Sequence, residues 1–112
     1  MLIKMPRRKI LTVRQAAVLV VLGDESKYGY EVLRGYNELM TPFRMNGGSL
    51  YVTLKQLEGS GNITSLGSMG VPSKGGATRN YYAVTPEGKK SLSEFSGLAG
   101  RVMTASRNHN NP

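Results

Sequence analysis

With 112 residues, 39% of them hydrophobic, the chain has room for one domain built on one modest core. Fifteen Lys and Arg against seven Asp and Glu give a net charge of +8, which points to a polyanionic partner, nucleic acid ahead of membrane. The absence of cysteine excludes a disulfide framework, a thiolate metal site and a cysteine nucleophile, and the single histidine, His109 near the C-terminal end, excludes a histidine metal cluster or a Ser-His-Asp triad.

Residues 1–11 read as a basic arm carrying Lys4, Arg7, Arg8 and Lys9, with no acid among the first 14 residues. Pro6 keeps the arm from joining a helix early. Residues 12–22 follow as a helix. Thr12-Val13-Arg14-Gln15 fits a capping box, and Gly23 stops the helix. The longest apolar run, Ala16 to Leu22, is too short to span a bilayer, and no small-residue cleavage site follows it. No membrane partner is expected, and the reading is of a cytoplasmic, nucleoid-associated protein. Asp24 to Lys27 form a polar turn. A second helix runs from about Tyr28 to Met40, with Val32, Leu33, Tyr36, Leu39 and Met40 at helical spacing, and Thr41-Pro42 ends it.

A connector with Asn46, Gly47 and Gly48 leads into a third helix, about Gly48 to Glu58. Leu50, Leu54 and Leu57 form one narrow buried stripe. The opposite face carries Ser49, Val52, Thr53, Lys55 and Gln56, with Tyr51 at its edge. Asn62 to Leu66 then reads as a strand, and Gly67 to Thr78, rich in glycine and carrying Lys74, as a long loop. Arg79 to Val84 reads as a second strand antiparallel to the first. Alternation turns one of Tyr81 and Tyr82 inward. Thr85-Pro86-Glu87 is a helix start with an N-cap hydroxyl, proline at the first position and an acid in the first turn. The last helix reaches about residue 105, and residues 106–112 fray as a tail. On it Leu92, Phe95, Ala99 and Val102 make a stripe, with Leu98 and Met103 alongside, suited to a dimer seam.

This order, three helices, strand, loop, strand, helix, is that of a winged helix-turn-helix: mainly α with a small antiparallel β-hairpin. Residues 12–84 form the DNA-binding domain and 85–105 the dimerisation helix. The third helix is the candidate reader of base edges. Gln56 can read adenine, Ser49 and Thr53 suit several edges, and Val52 suits a thymine methyl. Arg7, Arg8, Lys9, Lys27, Lys55 and Lys74 supply salt-sensitive affinity for phosphate, and Asn46 and Gly48 bring the backbone close to the duplex. Tyr30 and Tyr36 are read as core residues with bonded hydroxyls. The spacing of a nucleotide phosphate loop fails in Gly67 to Gly76. Asn62-Ile63-Thr64 matches a glycosylation acceptor but is set aside as intracellular. The scattered acids offer no pair suited to acid-base chemistry. No enzyme activity and no cofactor are expected.

Three segments resemble, in order, motifs of PadR-like winged-helix regulators. Tyr28-Gly29-Tyr30-Glu31-Val32 is similar to the opening of that family's second helix. Gly48-Ser49-Leu50-Tyr51-Val52-Thr53-Leu54-Lys55-Gln56-Leu57-Glu58 is similar to its reading helix, G-T-L-Y-P-x-L-x-x-L-E. Gly75 to Gly88, through Arg79-Asn80-Tyr81-Tyr82 and Thr85-Pro86-Glu87-Gly88, is similar to its wing and the start of its fourth helix. Ser49 and Val52 depart from the family's usual Thr and Pro. The resemblance implies a homodimeric DNA-binding protein, commonly a repressor of transcription. It assigns DNA contacts to Ser49 and Tyr51, a phosphate contact to Tyr28, and wing contacts to Lys74 and Arg79. Two other readings stay open. One is a DNA-partition or architectural protein that spreads on DNA and recruits a partner protein. The other is a small-molecule sensor with a dimer cavity lined by Met and Tyr, where an effector binds.

Overall fold

The computed structural model describes residues 9–67 and 79–110. Arg7 and Arg8 of the arm, and Lys74 of the long loop, lie outside these described residues. Helix α1 (Val13–Leu22) is the central element. Its start is fixed by the expected capping box: Gln15 N donates to Thr12 Oγ1 at 3.1 Å and Thr12 N donates to Gln15 Oε1 at 3.0 Å. Its end is closed by Gly23, at φ 60°, whose N–H donates to Leu19 O. Between these ends Ala16, Ala17, Val18, Leu19 and Leu22 are buried.

A short strand β1 (Lys27–Tyr28) precedes helix α2 (Gly29–Met40). The sequence reading had a turn and the first residue of the helix here. Tyr28 pairs instead with Tyr81 and Lys27 with Tyr82, so the expected hairpin is a three-stranded antiparallel sheet of order β1-β3-β2, with β2 (Ile63–Gly67) and β3 (Tyr81–Val84). A two-residue strand has no periodicity to announce it, since only the partner strand defines it. Helix α2 starts where Tyr28 N donates to Glu31 Oε1 at 3.2 Å. It buries Val32 and Tyr36. Gly35 lies so close to α1 that a Cβ there would come within 2.6 Å of Val21 Cγ1. Tyr30, expected in the core, is 64% exposed: it lies two residues from Val32 and so turns away from the buried stripe.

The connector into helix α3 (Gly47–Gly59) is held by one side chain. Asn37 Nδ2 donates to Met45 O at 3.1 Å, and Met45 N donates to Asn37 Oδ1 at 2.9 Å, which seats Met45 in the core. Leu50, Leu54 and Leu57 are buried as the stripe required. At the far end of α3, Asn62 is a buried junction. Its N–H donates to Leu57 O at 2.9 Å and its carbonyl accepts from Thr85 N at 3.1 Å. Its Nδ2 donates to Ser60 Oγ and its Oδ1 accepts from Ser91 Oγ, both at 2.7 Å. The amide that matched a glycosylation signal is therefore committed to the fold.

Helix α4 (Pro86–Asn110) begins at Thr85, whose Oγ1 accepts from Gly88 N at 3.0 Å and donates to Gly61 O at 2.6 Å. Gly88 is required by packing: a Cβ would overlap Asn62 O and come within 2.8 Å of Val84 Cγ1. The helix runs five residues past its expected end at 105, so residues 106–110 are helical and not part of a frayed tail. No glycine follows Gly100, and the next proline is Pro112.

Candidate nucleic-acid interface

The outer face of α3 is open. Tyr51 is 57% and Val52 55% exposed, Lys55, Gln56 and Gly48 are exposed, and Ser49 is half-buried. This is the surface the reading-helix assignment needed. One residue on that roll is misplaced. Thr53 is 3% exposed, and its hydroxyl donates to Ser49 O at 2.9 Å. It lies three residues from Leu50 and four from Leu57, on the inner face, and it offers nothing to a base edge. The stripe is wider than three leucines indicated. Asn46 serves as the N-cap of α3, its Oδ1 accepting from Ser49 N at 2.8 Å, so that oxygen is held by the helix.

Tyr51 and Lys55 act together on the rim of α3. The Lys55 ammonium lies 5.4 Å from the Tyr51 ring centroid and 3.7 Å from Glu58 Oε1. The Tyr51 oxygen, and then the Glu58 carboxylate, push the Lys55 pKa up.

The base of the long loop is a second built region. The Arg79 guanidinium lies 4.5 Å from the Tyr28 ring centroid, and Tyr28 meets Tyr81 edge-on at 5.6 Å. Ser65 Oγ donates to Asn80 Oδ1 at 2.7 Å, and Asn80 Nδ2 donates to Tyr82 Oη at 3.0 Å. Tyr82 is the inward member of its pair, and burial pushes its phenol pKa up. Between this region and α3 lies an apolar hollow of about 470 Å³, lined by Tyr28, Tyr30, Leu33, Tyr51, Arg79 and Tyr82 among others. Tyr28 and Arg79 thus share one face with Tyr51.

Lys27 is used differently: its Nζ donates to Leu22 O at 3.2 Å, on the carbonyl end of α1. Lys9 is exposed and lines a groove with Gln15 and Gln56. A neighbouring groove of about 420 Å³ separates α1 from the outer face of α3, with Arg14 and Gln15 on one wall and Ser49, Val52 and Gln56 on the other. Arg14 and Gln15 were not among the expected site residues. They are separated from α3 by about forty positions in the chain, and no spacing rule links the two segments.

On the far side, Leu92, Phe95 and Ala99 of α4 lie with Val13, Ala16 and Val20 of α1 along an open apolar groove. Leu92 and Phe95 pack partly against the chain's own core. Val20 is 54%, Leu98 40%, Val102 67% and Met103 57% exposed. Neither tyrosine nor methionine lines this groove; the tyrosines gather beside α3. Among the described residues no group of His, Asp or Glu is arranged to hold a metal ion, and no helix is long and apolar enough to cross a membrane.

The model of the transcriptional regulator PadR-like family matches residues 18–94. The chain belongs to this family. The match runs from within α1 to the first turns of α4 and takes in the whole of α3 and its neighbouring sheet. The PadR-like fold is matched by solved structures. A PadR-like transcriptional regulator from Bacillus cereus superposes with a TM-score of 0.71 at 28% identity, over 89% of this chain and 93% of that one. A Streptococcus transcriptional regulator gives 0.71 at 25%, over 88% and 93%. Bacillus subtilis PadR in complex with operator DNA gives 0.65 at 24%, over 75% of this chain and 47% of that one. No curated protein sequence matches. PadR-like proteins are transcriptional regulators and not enzymes, and this chain is one of them.

Proposed function

We propose that the chain regulates transcription as a homodimer, most simply as a repressor, reading its operator with the outer face of α3 from each subunit in successive major grooves. The observation that carries this reading is the exposed row Tyr51, Val52, Lys55 and Gln56, with half-buried Ser49 beside it, flanked by Arg14 and Arg79. A helix presented in this way can enter the major groove, where each base pair displays a distinct pattern of donors and acceptors. In support, Bacillus subtilis PadR, which shares the fold, holds operator DNA. Lys9 and Arg14 border the reading face, where phosphates would lie. The Arg79–Tyr28 stack lies beside it.

Dimerisation is assigned to α4, with α1 beside it. Leu98, Val102 and Met103 leave apolar surface in water that a second copy of the chain would cover, continuous with the groove at Phe95 and Ala99. Two reading helices roughly 34–36 Å apart would require half-sites one turn apart. Selecting bound duplexes from a random pool and footprinting the winner tests the reading. A palindrome of two half-sites centred about 10 base pairs apart is expected. A protected tract that lengthens with protein concentration would favour a partition or architectural role.

A further inference from the structure

The capping box at the start of α1 reaches beyond its own helix. Thr12 N is a donor and nothing else, so the Gln15 atom that meets it at 3.0 Å must be the carbonyl oxygen. The planar amide of Gln15 is thereby set, and its Nε2 faces α3. There it donates to Gln56 Oε1 at 3.4 Å. The same logic passes along one more amide: with Oε1 of Gln56 turned back to α1, its Nε2 points the other way, as a pair of free donors on the exposed edge of α3.

We infer that Gln15 is a positioning residue that fixes the sense of the Gln56 amide, so that Gln56 offers donors to the DNA and selects guanine over cytosine at the base it faces. This rests on the proposal that α3 reads the major groove. A glutamine reading adenine uses its oxygen and its nitrogen together on one base edge. Here the oxygen is turned away from that edge. Guanine presents two acceptors, N7 and O6, to a donor in the major groove, whereas cytosine presents the N4 donor, which opposes it. Ser49 and Val52, on the same wall of the groove, have no part in this relay.

The test uses Gln15→Glu. Glutamate at this position keeps the capping box, because a carboxylate oxygen still accepts from Thr12 N. Its other oxygen can only accept, so it takes the Gln56 Nε2 and turns the Gln56 oxygen outward. The full-length variants Gln15→Glu, Gln15→Ala and Gln56→Ala are each put through random-pool selection beside the parent chain, and base preference is scored position by position. The base position is identified as the one whose preference Gln56→Ala erases. At that position the parent should favour guanine over cytosine by about tenfold, the scale of one good base contact. Gln15→Glu should reverse the ratio, and Gln15→Ala, which frees the amide to turn, should flatten it. A guanine preference that Gln56→Ala erases but both Gln15 variants leave intact overturns the relay while sparing the reading of α3. A parent preference for adenine at that position does the same. If Gln56→Ala changes no position, α3 does not read DNA through this residue, and the inference falls with that assignment. Loss of overall affinity in Gln15→Glu, from its added negative charge, does not enter the score, which compares bases within one selection.

Discussion

On α3, side chains one position apart do opposite work. Val52 is exposed and Thr53 is sealed, its hydroxyl spent on the carbonyl four residues back. Tyr51, over half exposed, holds Lys55 against its ring and carries a hydroxyl at the rim of the reading face. Tyr51→Ala should therefore weaken binding to the selected operator by about 1–3 kcal/mol, the range for a good base contact, with much less change on random duplex. Thr53→Val is the contrasting case. It should leave every base preference as it was and shift stability by about 1 kcal/mol or less, because only one local hydrogen bond is lost. Filter binding and thermal melting separate the two. A Thr53→Val variant with altered base preference would contradict the burial that removes this residue from the interface.

The elements hold their places through a few polar junctions. Asn62 ties the end of α3, the start of β2 and the first turns of α4 with four hydrogen bonds. Asn62→Ala should cost about 2–3 kcal/mol in urea unfolding, because the Ser91 hydroxyl loses its acceptor and the Ser60 hydroxyl, which still donates to Leu57 O, loses the Asn62 donor. Gly88→Ala should cost about 1–3 kcal/mol by forcing α4 off Asn62 O. Both variants that still fold should keep the parent's base preferences. These junctions also show what the chain discloses in advance. The caps at Thr12–Gln15 and Thr85–Gly88 are local, three residues apart, and could be read directly. So could the leucines of α3, which repeat at helical spacing. Strand β1 could not, because its two residues become a strand only when Tyr81 and Tyr82 lie beside them. The Gln15–Gln56 bond, spanning 41 positions, and the exposure of Tyr30 depend on how helices pack, which periodicity does not carry. Of the expected site, Tyr28, Tyr51 and Arg79 converge on one face, whereas Lys27 and Thr53 are used inside the fold.

At the scale of the molecule, the proposed reading face and the proposed α1–α4 dimer face are separate surfaces, so the proposal predicts that each can be removed without the other. Val102 is 67% exposed, so Val102→Glu removes nothing from the subunit's own core. It should abolish the dimer in sedimentation and reduce operator affinity to that of one half-site, while the isolated subunit keeps its helical signal. The net charge of +8 adds a longer-ranged contribution. Each cation set on a phosphate releases a counterion and steepens the fall of log K with log salt by about 0.9. Removing residues 1–9 takes away Lys4, Arg7, Arg8 and Lys9. If the arm tracks the backbone, the slope should flatten by up to roughly 3.6 per subunit, and random and operator DNA should lose affinity nearly equally, since phosphate contacts carry no sequence. An unchanged slope would mean that the arm never reaches the duplex and that Arg14, Lys55 and Arg79 carry the electrostatic attraction. A loss confined to the operator would instead make the arm a reader of the minor groove, where width and base composition are sensed by basic side chains.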